Sequence, residues 1–189
     1  MTTLMKEVGE IFFKASSVAS LESYQKIGRI PVAISALVKN KDKYELIPIE
    51  SGMPDIPIRN GTPEMGFSLA QGALDLALRP LVQHIRNNKG ASTVAFFLSV
   101  TAEGELRDIE TEKIEVARVI VNAIRTEKNI GKTNVFRITK NGFVKITLPE
   151  DDVWEKDPGS DDLPSVAAQT ILDMVWKEFI VAKNLSSIN

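Results

Sequence analysis

The run from Arg29 to Val38 constrains the fold more than any other part of the chain. It is rich in β-branched residues, and both of its alternating sides are apolar, with Ile30, Val32 and Ile34 on one and Ala33 and Leu37 on the other. A solvated antiparallel strand alternates apolar with polar, so a strand apolar on both sides needs cover on both. Tyr44–Ile49 has the same character, and the polar tip Lys39-Asn40-Lys41-Asp42 between the two runs is a hairpin signal. The chain is therefore expected to build an antiparallel sheet with other elements packed against it.

The rest of the chain is read around that hairpin. Leu4, Val8, Ile11, Phe12, Ala15 and Ala19 recur at helical spacing with Lys6, Glu10 and Lys14 among them, which predicts an amphipathic helix from Thr3 to about Lys26. Residues 50–63 contain three prolines and two glycines together with Met53, Ile56 and Ile58, a composition that suits a loop packed on the body. Thr62-Pro63-Glu64 then opens a helix to about Asn87: threonine caps, proline tolerates the first helical position, and glutamate meets the positive end of the dipole. Pro80 should bend it.

A second hairpin is expected from Thr93–Thr101 and Glu105–Ile109 around Ala102-Glu103-Gly104, followed by a helix over 111–128 with Glu115, Arg118, Asn122 and Arg125 as its polar stripe. Gly131 would cap that helix. In a third hairpin, a three-residue loop Lys140-Asn141-Gly142 pairs Ile138 with Val144 and turns Phe136 and Ile138 to the core. A final helix spans about Ser165–Lys183. The expected fold is α+β, with antiparallel β-hairpins alternating with helices (α-ββ-α-ββ-α-ββ-α). One sheet carries helices on its faces, in a single domain over 1–189 with irregular insertions at 50–63 and 149–164. A domain of 189 residues buries roughly 70% of the surface of its unfolded chain.

Composition and motifs exclude more functions than they suggest. A formal charge of -2 supplies no global field for nucleic acid or anionic membrane. The absence of cysteine removes disulfides, thiolate metal sites and a cysteine nucleophile, and fits a reducing compartment. Lys6, Glu7 and Glu10 interrupt the N-terminal apolar pattern, so it lacks a signal-peptide core. Ile30–Val38 and Val94–Val100 are far shorter than the roughly 20 residues a membrane span needs. The expectation is a soluble, cytoplasmic protein with no membrane partner and no cofactor.

Gly131-Lys132-Thr133 resembles the end of a phosphate-binding loop, but Thr126 stands where its first glycine belongs, and a strand follows rather than a helix. After Asp55 no acid has lysine two positions on, so the corresponding nuclease pattern is absent. No nucleophile elbow or paired-histidine motif is present, and His84 is the one histidine. Counted from Asp151 or from Asp157, the acidic stretch 150–165 lacks the sixth-position glycine and twelfth-position glutamate of a calcium loop. It reads as a connector with a docking role, and Asp161 and Asp162 also favour the start of the last helix. No catalytic set and no metal site is assigned.

Two surfaces are expected to meet partners. In the three-residue-loop register Arg137 lies opposite Lys145, and two like charges so placed call for a counter-charge. An acidic protein strip suits this face better than RNA, because Phe143 offers the only aromatic stacking platform there. The last helix is apolar around most of its circumference, with Gln169, Asp173 and Lys177 as a narrow polar stripe, the last two spaced to pair.

The reading is a non-enzymatic interaction or assembly protein, homo-oligomeric or with a protein partner. Trp176, Phe179 and Ile180 would supply apolar burial, and Arg137 and Lys145 charge steering. The competing reading is a small-ligand module or small enzyme whose pocket under the 50–63 loop is lined by Asp55, Arg59 and His84.

Overall fold

The computed structural model describes residues 3–28, 32–53, 80–81, 83–87, 90–107, 113–146, 154–156 and 163–186. Helix α1 (Thr3–Ile27) is followed by strands β1 (Val32–Asn40) and β2 (Lys43–Met53), then by α2, helical at 80–81 and 83–87. Strands β3 (Ser92–Arg107), β4 (Ile114–Thr126), β5 (Ile130–Thr139), β6 (Gly142–Lys145) and the two-residue β7 (Glu155–Lys156) come next, and α3 (Leu163–Ser186) closes the described chain. The strands form one antiparallel sheet in the order β2-β1-β3-β4-β5-β6, with β7 paired to β5. The fold is α+β. No helix among the described residues is long and apolar enough to cross a membrane.

The alternating hairpin–helix order does not hold, because residues 111–128 are not a helix. Ile114–Thr126 is β4, paired along its length with β3 on one side and over Val119–Arg125 with β5 on the other. The polar residues Glu115, Arg118, Asn122 and Arg125 imitate a helical stripe, yet the residues between them are mostly β-branched and apolar in both parities. Such a pattern belongs to a central strand covered on both sides. β3 likewise does not turn at Ala102-Glu103-Gly104. Those residues pair with Val119, Arg118 and Ala117, and the strand runs on to Arg107, so β3 folds back on β4 and not on itself. The turn from β4 to β5 is closed by Asn129, whose left-handed φ of 57° takes the place expected of Gly131, and Asn129 N donates to the Thr126 carbonyl at 3.1 Å.

The first hairpin turns within its expected tip, and its second strand runs past the expected end at Ile49 to Met53, so the first residues of the expected loop 50–63 are strand. Lys41-Asp42 connects Asn40 to Lys43, with Lys41 at φ 55°, and pairing extends to Val32 and Met53. The third has another register: Thr139 pairs with Gly142, Ile138 with Phe143, Arg137 with Val144 and Phe136 with Lys145. Gly142, at φ 127°, ends a loop of Lys140 and Asn141. The alternation argument fails because residues 136–139, the part of β5 that pairs with β6, are all half-buried, so neither side is clearly core or solvent and alternation cannot fix the register. Val135 lies in the core, Phe136 and Ile138 are half-buried, and Val144 is exposed.

Successive residues of the strands join two separate apolar clusters. Ile34, Phe96, Leu98, Val119, Val121 and Val135 pack with Leu172, Val175, Trp176 and Phe179 of α3. Leu37, Ala95, Phe97 and Ile124 pack with Phe13 of α1, flanked by Val8, Phe12 and Trp154. Each fully buried Val, Leu, Ile or Phe among them contributes roughly 1.5–3 kcal/mol on burial.

Gly9 is what lets α1 approach so closely. A Cβ there would stand 2.7 Å from Cζ2 of Trp154, which belongs to the second cluster. Trp154 and β7 thus tie part of the acidic stretch to the body, while Asp151, Asp152, Asp157, Asp161 and Asp162 lie outside the described residues. α1 ends at Gly28, whose left-handed φ of 68° lets its N donate to the Tyr24 carbonyl at 2.7 Å.

Candidate functional site

The polar chemistry of the interior is organised by two residues of β4. Asn122 and Arg125 are three positions apart, so a strand sends their side chains to opposite sides of the sheet. Both are buried, at 2% and 8% exposure. Asn122 meets α1 and Arg125 meets α3.

Under α1, Ser99 Oγ donates to Asn122 Oδ1 at 2.6 Å, and Ser20 Oγ of the helix reaches the same oxygen at 2.9 Å and Ser99 Oγ at 2.8 Å. Ser20 Oγ is also 2.9 Å from the Ser16 carbonyl. Asn134 stands opposite Asn122 on β5. Asn122 Nδ2, Asn134 Oδ1, Ser17 Oγ and Thr101 Oγ1 are buried with no hydrogen-bond partner in the protein. A buried polar atom left so costs about 1–3 kcal/mol unless water or another polar group meets it. Donors and acceptors both occur in this seam and no formal charge does, so its chemistry suits water or another small neutral polar molecule.

Charged and aromatic contacts close the seam at both ends. At one, Lys132 Nζ lies 3.0 Å from Glu10 Oε1 and 5.6 Å from the centre of the Phe13 ring. At the other, Tyr24 meets Phe143 edge-on at 5.6 Å and Arg118 stacks over the Tyr24 ring.

On the side of α3, Gln169 Nε2 donates to Thr133 Oγ1 at 2.8 Å, and Arg125 Nη1 donates to Gln169 Oε1 at 3.3 Å. Trp176 Nε1 donates to the Arg125 carbonyl at 2.9 Å. Arg125 Nη2 is 3.7 Å from Asp173 Oδ1, and Asp173 pairs with Lys177 at 2.6 Å across one helical turn, the pairing their spacing predicts. The stripe Gln169-Asp173-Lys177 is therefore a graded one: its first residue is buried against β4 and β5, its last is in solvent.

The residues expected at interfaces separate. Trp176 and Phe179 are interior: Trp176 meets Phe96 at 4.7 Å, and Phe179 meets Phe96 at 5.4 Å, each edge-on. Ile180, the next residue, is exposed. Arg137 and Lys145 do not face each other. Their partners are Val144 and Phe136, and that register puts the two on opposite sides of the hairpin, so no shared basic face forms.

Of the alternative pocket, Asp55 and Arg59 lie outside the described residues. His84 is buried beside Phe179 at 6.3 Å, with Nε2 3.1 Å from Thr93 Oγ1. Burial holds its pKa below the ordinary 6.5. The unfolded chain then binds a proton at a higher pH than the folded one. Stability is complete above pH 6.5 and falls as the pH drops from there toward the lower folded value. Urea unfolding between pH 7.5 and 5.5 is expected to show that loss, at no more than about 1.4 kcal/mol per pH unit from this group. The loss should be absent in a His84→Gln variant.

The seam residues Ser17, Ser20, Ser99, Asn122 and Asn134 had no signal in the sequence beyond being polar within apolar segments. Among the described residues no group of three His, Asp or Glu is placed to hold a metal ion. Scans against protein-family models, curated proteins and solved structures find no match to this chain.

Proposed function

We propose that the protein is a non-enzymatic interaction protein that assembles with copies of itself. The observation behind this reading is apolar side chains left exposed on both terminal helices, although each helix also fills an interior cluster. Near the end of α3, Ile180, Val181 and Leu185 are 39%, 52% and 61% exposed. On α1, Leu4, Ile11 and Val18 are 56%, 66% and 55% exposed. Single exposed apolar residues are ordinary on a protein surface, whereas neighbouring ones on the outer side of a helix mark contact surfaces. Leu4, Ile11 and Val18 are such neighbours on α1 and Val181 and Leu185 on α3, with Ile180 at the flank of α3. Trp176 and Phe179 contribute by fixing α3 on the sheet, and of the three apolar residues first assigned to the interface, Ile180 keeps area for a second chain.

Light scattering over a wide concentration range tests this. The mass is expected to rise above that of one chain, and a combined Ile11→Lys, Ile180→Lys and Leu185→Lys variant should stay at one chain with an unfolding midpoint close to the parent's. A parent protein that remains one chain at every concentration overturns the proposal.

A further inference from the structure

We propose that the seam between two copies is α1 packed antiparallel on α1 of the partner, about a two-fold axis at Ile11. The inference rests on the self-assembly reading and names the surface that performs it.

Leu4, Ile11 and Val18 are spaced by seven, so at about 100° per residue Leu4 and Val18 fall within roughly 20° of Ile11. The buried residues Gly9, Phe13 and Ser20 lie on the other side of the helix, roughly 160–180° away. The row is thus the part of α1 farthest from the sheet. Its exposure shows that nothing else among the described residues covers it.

Charge decides what can cover it. Glu7 and Lys14 are exposed and lie on one flank of the row, roughly 40–60° from Ile11. Neither has an ion-pair partner among the described residues, whereas Glu10, on the inner side, is held by Lys132. A two-fold axis through Ile11 keeps each flank against the same flank of the other copy. Glu7 stands about 6 Å before the axis, and the partner's Lys14 about 4.5 Å along the same direction, so the two are nearly level. The symmetric pair forms at the other end. Leu4 meets the partner's Val18, and Ile11 meets the partner's Ile11.

A parallel pairing about an axis along the helices would set this flank against the opposite one, where Val8, Ala15 and Ala19 carry no charge, so Glu7 and Lys14 would lose both attractions. The antiparallel arrangement also closes on itself, giving a dimer and not a chain of copies. A seam of so few residues falls at the small end of specific interfaces, below about 1,200 Å² in total, so association is expected to be weak and concentration-dependent.

Charge exchange tests the pairing at residues whose exposure leaves the fold intact. Glu7→Lys alone, or Lys14→Glu alone, turns both cross-pairs repulsive by symmetry and should raise the dissociation constant about tenfold. The double variant Glu7→Lys/Lys14→Glu restores both pairs and should recover the parent's association. Because the chain has no cysteine, Ile11→Cys places one thiol of each copy beside the axis. It should form a disulfide-linked dimer on mild oxidation, while Leu4→Cys, whose partner is the far Val18, should not. If the parent self-associates but the single charge variants associate as it does, the α1 seam is wrong and the assembly reading stands. If the parent never self-associates, both fall.

Discussion

Trp176→Ala is expected to lower the free energy of unfolding by roughly 3–5 kcal/mol, the range for deleting a buried large aromatic. Two losses combine. The indole leaves a gap against Phe96 and Phe179, whose rings meet it edge-on at 4.7 Å and 5.7 Å. It also takes away the Nε1 donor to the Arg125 carbonyl. Trp176→Phe keeps most of the apolar volume and loses the donor alone, so it should cost less, about 1–3 kcal/mol.

Urea unfolding reads both variants, and the midpoint should move with little change in slope. The ranking separates two roles for the same residue. A tryptophan at a chain–chain seam would leave the isolated fold within about 0.5 kcal/mol of the parent and abolish association. An interior tryptophan does the reverse. The second outcome is expected.

That prediction turns on a distinction the sequence could not draw. α3 is legible as an apolar helix, and its limits agree with expectation to within three residues at each end. Which apolar residues face the sheet is not legible, because Ile171 to Val181 offers more apolar positions than one contact surface needs. α1 shows the same ambiguity. The six apolar residues that mark it as a helix divide into Val8 and Phe12, in contact with the second cluster, and Leu4, Ile11, Ala15 and Ala19, which are exposed.

The first hairpin was legible because its charged tip bounds two β-branched runs. β4 was not. Asn122 and Arg125 break an apolar run three residues apart, and that interval reads as a helical stripe unless one knows that each has a polar partner waiting on its own side of the sheet. Those partners are remote: Ser20 and Asn122 are 102 positions apart, and Arg125 and Gln169 are 44. Local periodicity carries no information about such pairs. The seam under α1 is a product of the tertiary fold.

The seam itself supplies the second large effect. Asn122→Leu should destabilise the protein by about 2–3 kcal/mol, because it removes the acceptor that Ser20 and Ser99 share and leaves buried hydroxyl groups short of a partner. The same substitution should cost much less where Ser20→Ala and Ser99→Ala are already present, since replacing the three hydrogen-bonded side chains together orphans no further donor. Urea midpoints of the single variant, the two-serine variant and the triple variant close that cycle. If the cost of Asn122→Leu were equal in both backgrounds, the three side chains would not act as a unit.

A polar cluster that can be made apolar at small net cost is not there chiefly for stability. What it supplies is position: a hydroxyl on α1 that must meet one amide and one hydroxyl of the sheet fixes both the rotation of the helix and its placement along its axis. An apolar seam fixes neither so tightly. The consequence reaches the outer surface, because Ser20 lies about 180° around the helix from Ile11. Holding the inner side in one register holds Leu4, Ile11 and Val18 outward in one row. The triple variant is therefore expected to unfold near the parent's midpoint yet to self-associate more weakly by light scattering, as its α1 samples rotations that no longer align Glu7 and Lys14 with a second copy. Association unchanged in a stable triple variant would separate the seam from assembly.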